Sequence, residues 1–165
     1  KICRKLSFKL NIYNMITIEE FKKKLSNKVR LLGLDLGSKK VGVSICDEKQ
    51  SIATPYKTII KTNINDLINI LKGIIDENNI KGIIIGNPIN MDGTLGKSAQ
   101  SIKDTSYIIS KSIDLPVILW DERLSTVGAF NLLSQLDINV TKREKDIDKN
   151  AAAFILQGAI DYLNN

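Results

Sequence analysis

"LLGLDLGSKKVGVSICDE", residues 31–48, sets one carboxylate into an apolar run and follows it with a glycine turn and two lysines. Leu32, Leu34 and Leu36 alternate with Leu31, Gly33 and Asp35, which predicts a strand over Leu31–Leu36 with Asp35 on one face near its carboxyl end. A charge in that position is expensive unless something neutralises it, so the stretch asks for a metal ion or a phosphate nearby. Gly37 makes the turn, Lys40–Cys46 returns as a second strand, and Ile52–Ile60, interrupted by Pro55, forms a third. Short joints between the three predict an antiparallel meander.

Beyond it the apolar period changes. From Asn65 onward Leu67, Ile68, Leu71, Ile74 and Ile75 recur at helical spacing, ending near Asn78 and Asn79. "KGIIIGNP", Lys81–Pro88, is a short apolar strand of the kind covered on both faces by crossover helices. A helix over Ser98–Lys111 and a strand over Leu115–Trp120 follow, the strand ending directly at Asp121 and Glu122. A helix from Ser125 or Thr126 to Leu136, a polar stretch at Asp137–Ile147 expected to be the most mobile, and a final helix opened by Asp148 and running through Leu163 complete the order. Upstream, Thr17 starts a short helix with Glu20 as its capping-box partner, outside the main sheet. The prediction is a mixed α/β domain in which a meander feeds right-handed crossovers into a parallel half-sheet.

Composition narrows the chemistry. The 165 residues suffice for one domain that buries roughly 70% of its unfolded surface. Twenty-four Lys and Arg against 18 Asp and Glu give a formal charge of +6, which favours a polyanionic partner, although a solvated basic surface accounts for it equally well. The chain has no histidine, which excludes His-based triads, His-ligated zinc and a His general base. Cys3 and Cys46 stand apart without partner ligands, so neither a zinc site nor a disulfide framework is expected. No apolar run approaches the ~20 residues of a membrane span. The basic start "KICRKLSFKLNIYNM" lacks the apolar core of a secretory signal and reads as a short extension, with Met15 as a candidate natural start.

Three acids are expected to converge. Asp35 and Glu122 leave the carboxyl ends of strands, where open α/β sheets bind ligands, and Asp148 precedes "KNAAAFILQGAI", a helix apolar around most of its circumference whose alanines permit close approach. Three such carboxylates repel one another unless Mg2+ or Mn2+, which prefer oxygen ligands, lies among them, and a cluster of that kind supports two-metal phosphodiester hydrolysis. Each acid also has an ordinary reading: a turn residue for Asp35, a helix-entry acid with a surface ion pair for Glu122, an N-cap for Asp148. Lys39, Lys40 and Arg123 are candidate phosphate contacts, as are Asn87 and Asn90 in the glycine-rich "GNPINMDGTLG", which lacks the Gly-Lys-Ser/Thr ending of a P-loop. Lys142, Arg143 and Lys145 sit on the approach to Asp148, where they close over a nucleic-acid backbone or are merely solvated. Trp120, Met91 and Phe154 read as packing residues, with no stacking platform among the aromatics.

"GLDLGSKKVG" (33–42), "GNPINMDG" (86–93), "DERLST" (121–126) and "DKNAAAFILQGAIDYL" (148–163), in that order, resemble the successive signatures of the bacterial YqgF family, also called RuvX. That family is described as Holliday-junction-resolvase-like and as a pre-16S rRNA nuclease. The resemblance implies an α/β ribonuclease-H-like fold with a mixed five-stranded sheet flanked by helices. It also implies Asp35, Glu122 and Asp148 as the catalytic, metal-binding acids, with Asp121 as neighbour or substitute ligand, and a cytoplasmic role in maturing the 5′ end of the small-subunit rRNA precursor. It covers about residue 30 to the C-terminus and implies a nuclease domain over 29–165 with residues 1–28 as an extension. Classical junction resolvases carry their second acid after the fourth strand, where this chain has Gly86-Asn87-Pro88. The acid pair here follows the fifth strand, which weakens transfer of junction-resolving activity.

The expected function is therefore metal-dependent hydrolysis of precursor 16S rRNA, free or in pre-ribosomal particles, by a monomer or weak homodimer. A resolvase of branched DNA and a noncatalytic ribosome-assembly factor are the alternatives. A phosphotransferase of the actin and sugar-kinase type, whose first phosphate loop "DLGSKKVG" also resembles, needs a second domain for which the chain has no room.

Overall fold

The computed structural model describes residues 15–25, 27–90, 92–94, 96–124 and 143–165; the side chains of Lys97 and of residues 143–149 are outside that set. Its elements are α1 (Ile18–Leu25), β1 (Leu31–Leu36), β2 (Lys40–Cys46), β3 (Ala53–Ile60), α2 (Ile64–Asn78), β4 (Gly82–Asn87), α3 (Lys97–Ser112), β5 (Val117–Asp121), a 3-10 turn (Glu122–Leu124) and α4 (Arg143–Asn164). The strands form one five-stranded sheet in the order β3-β2-β1-β4-β5. β1, β2 and β3 pair antiparallel, whereas β4 lies parallel to both β1 and β5. The meander and the parallel half-sheet are thus joined at β1, the strand that carries Asp35.

Local chemistry explains the boundaries. Asn63 caps α2 by accepting the Asp66 N–H at 2.9 Å, and Asn79 ends it in the left-handed conformation at φ 54°, a region open to Asn. Pro55 lies on β3, an edge strand, next to a register shift between Val43 and Ser44, which is where a residue without an N–H is tolerated. Thr17 and Glu20 form the reciprocal capping box: the Glu20 carboxylate accepts the Thr17 N–H at 2.8 Å and Thr17 Oγ1 accepts the Glu20 N–H at 3.2 Å.

The core has two halves, one on each face of the sheet. Leu32, Leu34, Val41, Val43, Ile83 and Ile85 pack with α2 and α3 residues such as Leu71 and Ile109. Leu31, Ile84, Ile118 and Trp120 pack with Ile155, Leu156, Ala159 and Ile160 of α4 and with Phe21 of α1. Helix α1, expected outside the sheet, therefore contributes a fully buried ring that lies against Gly82 and Leu31. Cys46 is a free, buried thiol that accepts the Leu31 N–H at 3.2 Å, and burial pushes its pKa up to about 11. Among the described residues no helix is long and apolar enough to cross a membrane.

One boundary corrects the sequence reading. The last helix begins at Arg143, not at Asp148, so Asp148 lies in its second turn and is not an N-cap. The polar run "REKDIDK" contains neither Gly nor Pro and is rich in Arg, Glu and Lys, all good helix formers, so its composition is compatible with the first turns of a helix. The remainder of the expected mobile stretch, the helix predicted from Ser125 or Thr126 to Leu136, Met91 and Lys142 lie outside the described residues.

Candidate active site

Gly33 and Gly86 build the floor of the site. A Cβ on Gly33 would collide with Ser44 Oγ and stand 2.6 Å from Leu156 Cβ, so the absence of a side chain lets α4 settle on β1. The helix is then fixed by polar bonds: Ser44 Oγ donates to the Ala152 carbonyl at 2.8 Å, and Gln157 Oε1 accepts the Ala53 N–H at 2.8 Å. Asn164 Nδ2 adds a bond to the Gln50 carbonyl at 2.8 Å. Asp35 follows Gly33 by two residues on the same face, and extending the parallel register Leu34↔Ile85 by one step sets it beside Gly86. A Cβ on Gly86 would fall on Ile155 and lie 2.7 Å from Glu122 Oε1. The Glu122 carboxylate therefore lies over Gly86, next to the strand of Asp35 and beneath α4.

Glu122 and Asp35 repel each other electrostatically. Glu122 is half-buried, and burial first, then the charges of Asp35 and Asp121, push its carboxyl above the usual glutamate range. A cation among these hard oxygen donors would offset the repulsion between the acids and stabilise the buried charge, so the donor set fits a divalent ion such as Mg2+ or Mn2+. Among the described residues no three His, Cys, Asp or Glu side chains are gathered as a metal cage. Asp148, the third expected ligand, lies one turn before Ala152 on α4, and its side chain is outside the described set.

A family model described as "RuvX: Holliday junction resolvase" matches residues 29–162. The chain belongs to the RuvX family. A protein of Pelagibacter ubique named "Putative pre-16S rRNA nuclease" is 76% identical over 151 residues, covering 92% of this chain and all of that protein. A protein of the same name from Halothermothrix orenii is 42% identical, covering 82% of this chain and 97% of its own length. In fold, this RuvX chain matches Thermus thermophilus RuvC, solved in complex with a Holliday junction substrate, at a TM-score of 0.50 and 6% identity over 79% of this chain and 91% of that one. The expected ribonuclease-H-like architecture is thereby borne out.

The other predicted residues of the RuvX chain divide. Asp121 accepts from Arg123 Nε at 3.0 Å and Nη2 at 2.7 Å, an ion pair that holds Asp121 below the usual carboxylate range and raises Arg123. Asn87 ends β4 in register with Asp121 and is buried. Asn90 donates from Nδ2 to Thr94 Oγ1 at 2.9 Å, bracing its own loop. Lys39 and Lys40 are exposed on the β1–β2 turn, where Gly37 N–H donates to the Lys40 carbonyl at 2.9 Å. Arg143 and Lys145 lie in the first turns of α4, with side chains outside the described set. Sequence reasoning missed Gly86, Ser44 and Gln157. An isolated glycine inside the otherwise apolar "GIIIGN" was the one local signal of close approach.

Proposed function

We propose that this protein is a divalent-metal-dependent ribonuclease that hydrolyses phosphodiester bonds at the 5′ end of precursor 16S rRNA. The observation that carries the reading is the Glu122 carboxylate held over Gly86 beside Asp35 at the carboxyl end of the sheet, its charge disfavoured until a cation arrives. The names of its close full-length relatives supply the substrate. Asp35 and Glu122, with Asp148 from α4, would hold Mg2+ or Mn2+. An ion bound there makes water more acidic and offsets charge building on the phosphoryl oxygens.

The chain's own residues do the rest. Gly33 and Gly86 keep the floor low enough for α4 and for Glu122, and Ser44 and Gln157 hold α4 in place. Lys39 and Lys40 on the β1–β2 turn, with Arg143 and Lys145 at the start of α4 and Lys142 preceding them in sequence, would attract the phosphate backbone, a contribution that weakens with salt. Residues 29–165 form the nuclease domain, with 1–28 as an extension whose helix α1 packs Phe21 against Leu31 and Gly82. The protein would act in the cytoplasm, as a monomer or weak homodimer, on free precursor or pre-ribosomal particles.

The family model's description favours a second reading, resolution of four-way DNA. Wild type and Asp35→Asn, assayed on labelled precursor 5′-end RNA and on a four-way junction with Mg2+, Mn2+ or EDTA, separate the two. RNA cleavage lost with the variant and with EDTA supports the ribonuclease. Symmetric junction cleavage supports the resolvase, and binding without cutting would overturn both in favour of an assembly factor.

A further inference from the structure

Asp121 and Glu122 serve opposite faces of the sheet. Trp120 is in register with Gly86 and packs in the α4 half of the core, while Asp121 is in register with Asn87. Strand alternation therefore turns Asp121 and Asn87 toward the α3 side, where Ile83 and Ile85 also point, and leaves Glu122 on the α4 side over Gly86. Arg123 reaches back to Asp121 through Nε and Nη2 and donates its own backbone N–H to Asp121 Oδ1 at 3.0 Å. A guanidinium carries five N–H donors in a rigid fork, so the Nη1 edge is left over. That edge comes within 3.9 Å of where a Cβ on Gly93 would stand. Gly93 itself turns at φ 83°, in a loop braced by Asn90, Asp92 and Thr94.

A second observation points to a ligand here. Asn87 is 8% exposed, and its Oδ1 is buried without a hydrogen-bond partner. Leaving a buried amide oxygen unpaired costs free energy that native structures seldom tolerate without a reason. Reversal of the amide would present a donor or an acceptor to whatever lies beside it.

We propose that Asp121 is a positioning residue that holds Arg123 beside Asn87 and the Gly93 turn, forming a subsite for a non-scissile phosphate of the bound strand, and that Asp121 is not a metal ligand. The strand in question is that of the ribonuclease reading above, on which the proposal rests. A nucleic-acid strand crossing the carboxyl end of β4 would meet the acid pair on one side and Arg123 on the other. Fixing the guanidinium with a carboxylate removes freedom before binding, which favours affinity for a planar anion.

Two measurements on the full chain test it. The first is binding of a short fluorescein-labelled single-stranded oligoribonucleotide in EDTA, and the second is Mn2+ affinity without RNA, both for wild type, Asp121→Asn, Arg123→Ala, the double variant, Arg123→Lys and Glu122→Gln. We expect Arg123→Ala to weaken RNA binding about tenfold, the equivalent of one charge-assisted contact. Asp121→Asn should weaken it less, and the double variant no more than Arg123→Ala alone, the signature of a residue acting through another. Arg123→Lys should restore only part of the loss. Mn2+ affinity should fall in Glu122→Gln and stay at the wild-type value in the Asp121 and Arg123 variants. An Asp121→Asn protein that loses Mn2+ as Glu122→Gln does would overturn the proposal, as would unchanged RNA affinity in folded Arg123→Ala. If wild type and Glu122→Gln bind no Mn2+ alike, the metal-nuclease reading fails while the RNA-binding arm still judges Arg123.

Discussion

Asp121 and Glu122 adjoin in sequence but differ in everything that governs an acid. Asp121 is paired bidentately with Arg123 and held low; Glu122 is half-buried, faces Asp35 and is pushed up. One carboxylate has its countercharge built into the chain, whereas the other lacks one among the described residues. The contrast shows that a motif such as "DER" is not a block of equivalent ligands. The alternation of β5 assigns its first acid to one face, and the turn that follows assigns the second to the other.

The largest effect that could break this contrast is on catalysis. Glu122→Gln and Asp35→Asn should each lower metal-dependent cleavage by about a hundredfold or more, since each would remove a proposed oxygen ligand and its charge. Asp121→Asn should act chiefly through KM, with kcat within about threefold of wild type. Single-turnover cleavage of labelled precursor RNA at saturating and limiting enzyme separates the two. Equal loss of kcat in all three variants would make the neighbours one functional unit.

The two glycines beneath these acids sharpen the contrast at a smaller scale. Gly86→Ala puts a methyl onto the Ile155 side chain and against Glu122 Oε1, so both side chains must shift. Overpacking of that kind costs about 1–3 kcal/mol and should lower both the melting temperature and the cleavage rate. Gly93→Ala meets no close atom but must keep φ at 83°, costing about 1 kcal/mol through backbone strain. Its functional loss should appear in RNA affinity through Arg123, with Mn2+ affinity untouched. Thermal melts and the two binding assays on both variants check the assignment.

Why the sequence disclosed one of these environments better than the other is a matter of range. The period-two run at Leu31–Leu36 and the period-3.6 run in α2 are local signals, and both elements appear where the pattern places them. Asp35 and Glu122 stand out because acids at strand ends are rare and costly. Gly86 and Ser44 carry no such mark, since their roles depend on what crosses above them from more than 60 residues away in the chain. Helix α4 was placed correctly over its apolar part and begun too late, because a run of polar helix formers without an apolar period has the composition of a loop. An ion pair within "DER" was legible as the ordinary reading, but it was set at Glu122, whereas Arg123 pairs with Asp121. What remained illegible was that the intervening Glu122 faces the other way.

The smallest effect, and the one most specific to the two environments, is the pH dependence of stability in EDTA. Glu122 has a folded pKa above its unfolded value, so its contribution is fully present below the usual glutamate range and is lost as pH rises through the folded pKa. Asp121 has a folded pKa below its unfolded value, so its contribution is present above the usual aspartate range and is lost as pH falls through the folded pKa. Glu122→Gln should therefore gain stability relative to wild type as pH is raised from the acid range to neutrality. Asp121→Asn should be less stable than wild type at neutrality and approach it as pH falls. Both groups are partly exposed, and solvent screening keeps each contribution below about 1 kcal/mol, so the opposite signs of the two slopes are the readout and not their size. Adding Mg2+ at neutral pH should then raise the melting temperature of wild type and of Asp121→Asn but not of Glu122→Gln, because only the first two keep the acid whose charge the ion would relieve. Parallel slopes, or a Mg2+ response lost in Asp121→Asn, would mean that the two neighbouring acids share one electrostatic site.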